Sequence, residues 1–219
     1  MTTPSTQEIE YQVQQALDED LGTDLNTNFH GQDVTASLVP EQKESVAQVI
    51  CREDAVLCGC DWFNAAFNLL DNKIQIKWHF KDGQKIKNND VICEISGCAR
   101  HILTAERTAL NFLQTLSATA TQTAILTKAI NNTHCKILDT RKTIPGLRLA
   151  QKYAVVCGGG VNHRVGLYDM VLIKENHITA AGSISAAVNT ARENYKNLKI
   201  EVEVENIGEL EQAIACKVD

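Results

Sequence analysis

The last third of the chain contains three strand-like runs that each end on charged residues: Lys136-Ile-Leu-Asp-Thr-Arg-Lys142, Met170-Val-Leu-Ile-Lys174 and Lys199-Ile-Glu-Val-Glu-Val-Glu205. A helical pattern follows each run, at residues 147–157, 183–195 and 207–216. Strands that alternate with helices indicate an α/β fold with a mostly parallel sheet. In α/β barrels, the strand ends carry the chemistry, so these charged ends are candidate site residues.

The first half of the chain has a mixed pattern that predicts an α+β domain. A helix is expected at Glu8–Asp18, where Ile9, Val13 and Leu17 repeat at helical spacing, and a loop follows it. Strands are expected at residues 45–51, 55–58, 73–80 and 90–95, and helices at 62–70 and 102–131. The turn Lys81-Asp-Gly83 between the alternating runs 74–78 and 85–92 predicts a β-hairpin. We place the domain boundary near residue 115, giving domains at 1–115 and 116–219.

Composition limits the classes of function. The chain has 219 residues, a net charge of −6 and 44% hydrophobic residues, which is ordinary for a globular protein and argues against a general nucleic-acid binder. No run approaches the length of a membrane span, and Met1–Thr6 lacks the pattern of a secretory signal. We therefore expect a cytoplasmic protein.

The eight cysteines are scattered, so we expect free thiols rather than disulfides. Cys58-Gly-Cys60 is the only close pair in the sequence. A zinc site would need a second pair or histidines at ligand spacing, and the sequence offers neither. We expect structural or inert thiols and no bound metal in the protein itself.

The third charged run has a period of two. Ile200, Val202 and Val204 share one face of the predicted strand, and Glu201, Glu203 and Glu205 share the other. On an edge strand, the acidic face would be solvated. Inside a barrel it would point inward and would need cationic partners.

Suitable cations lie on the other predicted elements: Arg141, Lys142, His163, Arg164 and Lys174. Arginine binds carboxylates and phosphates in bidentate fashion, and lysine acts as a point charge. A carboxylate opposite them stabilises developing positive charge. This charge distribution suits glycosyl transfer from a phosphorylated sugar, where an oxocarbenium-like centre forms as an anion departs.

Several motifs together resemble those of one enzyme family. The strings are Thr104-Ala-Glu-Arg-Thr-Ala-Leu-Asn-Phe112, Asp139-Thr-Arg-Lys-Thr-Ile-Pro-Gly-Leu-Arg148, Gly158-Gly-Gly-Val-Asn-His-Arg164, Leu172-Ile-Lys-Glu-Asn-His177 and Glu201-Val-Glu-Val-Glu205. In this order, they resemble quinolinate phosphoribosyltransferase, also called nicotinate-nucleotide pyrophosphorylase (carboxylating). The resemblance implies an N-terminal α/β sandwich domain and a C-terminal incomplete, TIM-like α/β barrel. It also implies a reaction of quinolinate with phosphoribosyl pyrophosphate that yields nicotinate mononucleotide, pyrophosphate and CO2 for NAD biosynthesis.

The resemblance also implies roles for individual residues. Arg141, His163 and Arg164 would hold the two carboxylates of quinolinate, with Lys142 and Lys174 on carboxylate or phosphate oxygens. Glu203 would be the acid near the ribose and the Mg²⁺ that accompanies the pyrophosphate, with Glu201 as the alternative. Family members form homodimers, in which Arg107 would reach the neighbouring site. We expect Lys142, Lys174 and Glu203 to be catalytic, and the other residues to bind substrate.

Three other interpretations stay open at this point. Residues 81–97 look like half of a biotinyl or lipoyl carrier domain, although no lysine lies in the setting that such domains modify. Lys174 at a strand end could serve as the nucleophile of a Schiff-base aldolase. A molybdenum-associated paralogue of the same fold is the nearest competitor within the resemblance.

The end of the chain departs from the family pattern. Val218-Asp219 lies just before the position at which the family carries its second catalytic acid and further phosphate-binding loops. A sheet without the remaining strands would have an unpaired edge. We expect this chain alone to be a poor catalyst.

Overall fold

The computed structural model describes residues 3–22 and 32–219. Residues 23–31, which belong to the loop predicted after the first helix, lie outside the described residues. The chain divides into two compact units, Met1–His163 and Arg164–Asp219, and each unit is described by itself.

The first unit begins with helix α1, Thr6–Leu21, which confirms the predicted helix and extends it at both ends. A capping box starts it: the Glu8 amide donates to the Ser5 hydroxyl, and the Ser5 amide donates to the Glu8 carboxylate. Gly22 ends it in the left-handed conformation, with φ of 72°. The predicted stripe of Ile9, Val13 and Leu17 is buried.

Two small antiparallel sheets follow. Strands β1 (Glu44–Ile50), β3 (Gln75–Trp78) and β5 (Val91–Cys98) form one sheet in the order β1-β5-β3, and β2 (Ala55–Val56) pairs with β4 (Lys85–Ile86). The predicted hairpin is confirmed where the run 85–92 enters β5, because β3 pairs with β5. It is wrong for residues 85–86, which pair with β2. The alternating pattern predicts that these residues form strands, but it does not specify which strand pairs with which.

Two helices cover these strands. Helix α2, Cys60–Leu70, buries Trp62, Phe63 and Phe67, and the long predicted helix is present as α3, Ala99–Ala129. Small and apolar residues form the buried face of α3, among them Ala105, Ala109, Phe112, Leu116 and Ala120. Within the described ranges, no helix is long and apolar enough to cross a membrane.

The first charged run, Lys136–Lys142, is not the strand that the sequence predicts. It makes a single parallel bridge, between Leu138 and Val161, which is flanked by one backbone hydrogen bond on each side. No further strand pairing holds this segment within the described residues. It is held by hydrogen bonds to the Asp139 carboxylate. Helix α4, Arg148–Cys157, then follows as predicted and ends at Gly158.

The second unit contains two parallel strands, β6 (Val171–Ile173) and β7 (Ile200–Val202), in the register Val171↔Ile200. Helix α6 (Ile184–Asn194) and helix α7 (Ile207–Ala215) confirm the predicted helices. The sequence analysis missed helix α5, Glu175–Ala181, which begins directly after β6. The hydrophobic core of the second unit consists of six buried residues: Ile173, Ile184, Val188, Ala191, Ile200 and Ala213.

Mixed strands and helices in the first unit and a parallel strand pair with helices in the second agree with the predicted fold class. All eight cysteines are free thiols, as predicted.

Candidate functional site

In the first unit, the carboxylate of Asp139 holds two loop segments together. Its Oδ1 accepts the His163 amide at 2.9 Å, and its Oδ2 accepts Nδ2 of Asn162 at 2.7 Å. The Asp139 amide in turn donates to the Val161 carbonyl at 3.2 Å. The segment that carries Arg141 and the segment that ends at His163 are therefore fixed to each other.

A buried lysine completes this cluster. Nζ of Lys152 donates to Oδ1 of Asp139 at 2.5 Å and to the His163 carbonyl at 3.0 Å. The exposed fraction of the side chain is 0% for Lys152 and 5% for Asp139. A buried ion pair needs further hydrogen bonds to its remaining lone pairs and protons, and here the His163 carbonyl, the His163 amide and the Asn162 side chain supply such bonds.

The sequence analysis did not identify Asp139 and Lys152 as site residues. A signal was nevertheless present, because Lys152 lies between Ala150 and Ala154 in a largely apolar helix without an acidic residue at helical spacing. A lysine in that position needs a partner from another segment.

Arg141 and Lys142 follow the bridge at Leu138. Arg141 is half-buried, and its Nε is a buried donor without a hydrogen-bond partner among the described residues. Lys142 is exposed, and its amide donates to the Thr140 hydroxyl at 3.0 Å. A buried donor left without a partner costs about 1–3 kcal/mol, so an anionic ligand on Arg141 would be favoured.

In the second unit, the loop after Arg164 is held by Asp169. The Asp169 carboxylate accepts the amides of Val165 at 2.7 Å and Gly166 at 2.9 Å. Nη1 of Arg164 donates to the Met170 carbonyl at 3.5 Å, which is a long contact. The loop that follows Arg164 is therefore held ahead of β6.

The ends of β6 and β7 bring together Lys174 and Glu203, two of the three predicted catalytic residues. Their charged atoms lie 2.6 Å apart, and the side chains are 41% and 54% exposed. The Glu203 amide donates to the Ile173 carbonyl at 2.8 Å, which extends the parallel pairing past β7. Glu201, Glu203 and Glu205 are all exposed, as expected for one face of a strand.

Glu203 is thus an ion-pair partner of Lys174. His177 supports the start of α5 by accepting the Lys174 amide on Nδ1 at 3.0 Å. Arg107 is exposed on α3 in the first unit. The predicted site residues thus form one set on the Asp139 loops and a second set at the β6 and β7 ends, with Arg107 on a helix.

Comparison with known proteins identifies the family of this chain. The family model described as "Quinolinate phosphoribosyl transferase, N-terminal domain" matches residues 33–117, and the C-terminal domain model of the same family matches residues 119–219. The boundary between the two models falls inside α3.

Curated relatives and solved structures give the same result. A probable nicotinate-nucleotide pyrophosphorylase [carboxylating] of Bacillus subtilis is 40% identical over 92% of this chain and 67% of its own length. A quinolinate phosphoribosyltransferase [decarboxylating] of Nicotiana tabacum is 39% identical, and the chain spans 57% of its length. The structure of the nicotinate-nucleotide pyrophosphorylase from Francisella tularensis matches with a TM-score of 0.94 and 49% identity, covering 100% of this chain and 75% of that one. This chain belongs to the quinolinate phosphoribosyltransferase family.

Proposed function

We propose that this protein joins quinolinate to phosphoribosyl pyrophosphate and releases nicotinate mononucleotide, pyrophosphate and CO2 in NAD biosynthesis. Family membership supports the reaction, and the observation that carries it is the buried Nε of Arg141, a cationic donor that has no hydrogen-bond partner in the described part of the chain. The chain spans 67% of the Bacillus subtilis relative and 57% of the tobacco relative. The activity, substrates and partners of the whole protein are therefore proposals.

Arg141 and His163 are proposed to hold quinolinate carboxylates from the Asp139 loops, and Arg164 from the loop before β6. Bidentate guanidinium–carboxylate bonds fix the plane of the pyridine ring as well as its position. Fixing both carboxylates aligns the ring nitrogen with the anomeric carbon, which removes much of the orientational cost of a reaction between two substrates. The ion pair of Asp139 and Lys152 supports this role, because it fixes the backbone of both segments before substrate arrives.

Lys142 and Lys174 are proposed to bind carboxylate or phosphate oxygens, and Glu203 to stabilise positive charge at the ribose. The Lys174–Glu203 pair is half-exposed, so an anionic substrate can exchange with the carboxylate. Mg²⁺ would enter with the pyrophosphate and neutralise its charge. The exposed carboxylates of Glu201 and Glu203 are oxygen ligands of the kind that Mg²⁺ accepts.

We further propose a cytoplasmic homodimer in which Arg107 reaches the neighbouring subunit's site. An exposed arginine on a helix is available for such a contact. Gel filtration of the protein with multi-angle light scattering tests the dimer, and cell fractionation tests the location. Some curated plant relatives are named as chloroplastic or mitochondrial forms, so location varies among relatives.

A Schiff-base aldolase is not favoured, because the nucleophile of such an enzyme must be a neutral amine. Lys174 instead forms an ion pair with Glu203 at 2.6 Å, and a paired ammonium has no lone pair for attack on a carbonyl. The names of the relatives favour neither this alternative nor the molybdenum-associated paralogue.

Release of pyrophosphate tests the proposal. With phosphoribosyl pyrophosphate and Mg²⁺, we expect release to require quinolinate and to be accompanied by one CO2 for each pyrophosphate. Pyrophosphate release that is independent of quinolinate would contradict the proposed reaction.

Salt dependence tests the two lysines. Lys142→Ala and Lys174→Ala should weaken binding of the anionic substrates more at low salt than at high salt, because salt screens charge interactions at exposed sites. The exposed Lys128 of α3 provides a matched control, Lys128→Ala, which should leave binding unchanged. Equal losses at low and high salt would indicate packing effects instead of charge.

A further inference from the structure

Three side chains from separate segments of the first unit meet at one point: Cys58, Asp82 and Cys157. The two Sγ atoms and a carboxylate oxygen all lie within 4.8 Å of one another. Cys58 is fully buried, whereas Asp82 and Cys157 are half-buried. None of these residues has a role in the proposed reaction.

Hydrogen bonds hold the cluster in place independently of any ligand. The Asp82 carboxylate accepts the Cys60 amide at 3.1 Å and the Tyr153 hydroxyl at 2.9 Å. The Cys58 amide donates to the Ser117 hydroxyl at 2.9 Å, and the Cys58 carbonyl accepts that hydroxyl at 3.1 Å. The potential ligands are therefore fixed in advance, which lowers the entropic cost of binding a ligand.

The two thiols of the cluster are hydrogen-bonded to each other. Hydrogen bonds from Cys58 and then from Tyr153 lower the pKa of Cys157. The same bond to Cys157 raises the pKa of Cys58, and burial and the Asp82 charge raise it further. The two sulfurs are therefore close enough to share a hydrogen bond, which is the proximity that two ligands of one cation need.

We propose that Cys58, Asp82 and Cys157 form a binding site for a thiophilic divalent cation of the Zn²⁺ class. Two sulfurs and one oxygen are ligands that Zn²⁺ and Cd²⁺ accept and that Mg²⁺ does not prefer. With Zn–S bonds of about 2.3 Å, neighbouring sulfurs of a tetrahedral site lie about 3.8 Å apart. Rotation of the side chains needs to close a gap of at most about 1 Å, because the ligand atoms already lie within 4.8 Å.

The sequence could not reveal this site. Cys58, Asp82 and Cys157 are separated by 24 and 75 positions, since 82 − 58 = 24 and 157 − 82 = 75, so no ligand spacing is visible. The fold brings the three ligands together from different segments. Cys58 lies in the loop after β2, Asp82 in the turn before β4, and Cys157 at the end of α4. A bound ion would tie these three segments together.

Titration of the whole protein with Cd²⁺ tests the proposal under reducing conditions, with the ultraviolet charge-transfer band of cadmium thiolates as the signal. We expect one Cd²⁺ per chain and the absorbance of two thiolates. Cys157→Ser and Asp82→Asn should each weaken binding by at least tenfold. The exposed Cys135 provides the matched control, Cys135→Ser, which should bind as tightly as the unaltered protein.

The absence of a stoichiometric band at micromolar Cd²⁺, or equal binding by Cys157→Ser and the unaltered protein, would overturn the proposal. Alkylation of the unaltered protein avoids any dependence on the folding of variants. Zn²⁺ should slow the iodoacetamide labelling of Cys157 at least tenfold and leave that of Cys135 unchanged, as measured by peptide mass spectrometry. Equal protection of both cysteines, or of neither, would overturn the proposal as well.

Discussion

Substitution of Lys152 by methionine should destabilise the first unit strongly. Methionine keeps most of the volume of the lysine stem but removes the ammonium that donates to Asp139 and to the His163 carbonyl. The Asp139 carboxylate, only 5% exposed, would keep the Asn162 and His163 donors but lose its counter-charge. Removing one partner from a buried ion pair costs about 3–5 kcal/mol.

Urea unfolding followed by tryptophan fluorescence measures this loss in the correct unit. The chain has two tryptophans, Trp62 and Trp78, and both lie in the first unit. A loss of about 3–5 kcal/mol in the free energy of unfolding lowers the folding equilibrium constant by roughly two to four powers of ten. Lys128→Met, an exposed substitution of the same kind, should change the free energy by less than about 0.5 kcal/mol.

The double substitution Asp139→Asn with Lys152→Met separates charge from packing. Asparagine keeps one oxygen acceptor, which serves one of the two loop donors, and leaves no buried charge, so the double variant should lose less than the sum of the two single variants. A loss below about 1 kcal/mol for Lys152→Met, or strictly additive losses, would refute the reasoning.

Three further substitutions test other parts of the account. Arg107→Ala should weaken quinolinate binding and change the free energy of unfolding by less than about 0.5 kcal/mol, because the side chain is exposed; unaltered affinity in a verified dimer would remove Arg107 from the site. Gly158→Ala should destabilise by about 1–3 kcal/mol, since its Cβ would lie 2.4 Å from the Ala120 carbonyl oxygen, and an unchanged thermal midpoint would contradict this contact. Asp33→Ala should lower the urea midpoint at pH 7 by an amount equivalent to less than about 1 kcal/mol. The hydrogen bond from the Ala36 amide lowers the pKa of Asp33 below the ordinary 3.8. The stabilisation by Asp33 is therefore present above pH 3.8 and disappears as the pH falls through the folded-state pKa. A difference in stability between Asp33→Ala and the unaltered protein that persists below that pKa would contradict the assignment.

Hydrophobic periodicity predicted helices and strands well where one face of the element is apolar. The stripe of α1 and the alternation at Ile200 to Glu205 both fixed which residues face the core. The same patterns could not specify pairing, so β4 was assigned to the wrong partner. Helix α5 was missed because, within the described residues, it buries no side chain and therefore has no apolar stripe to predict it.

The candidate site was predictable only for residues that carry chemistry in a recognisable motif. Arg141, His163 and Lys174 are predicted in this way. The supporting pair of Asp139 and Lys152 depends on a contact between a loop and a helix, and that contact is visible only in the folded chain. The cluster of Cys58, Asp82 and Cys157 was hidden for the same reason, because local spacing says nothing about contacts across the fold.

Calorimetric titration with quinolinate tests the central claim most directly, with nicotinate as a ligand that lacks one carboxylate. The account predicts that quinolinate binds at least tenfold more tightly than nicotinate, and that Arg141→Ala removes most of this difference. Arg52→Ala, at an exposed position without a proposed role, should preserve it. Equal affinity for the two ligands, or an unchanged preference in Arg141→Ala, would contradict the account.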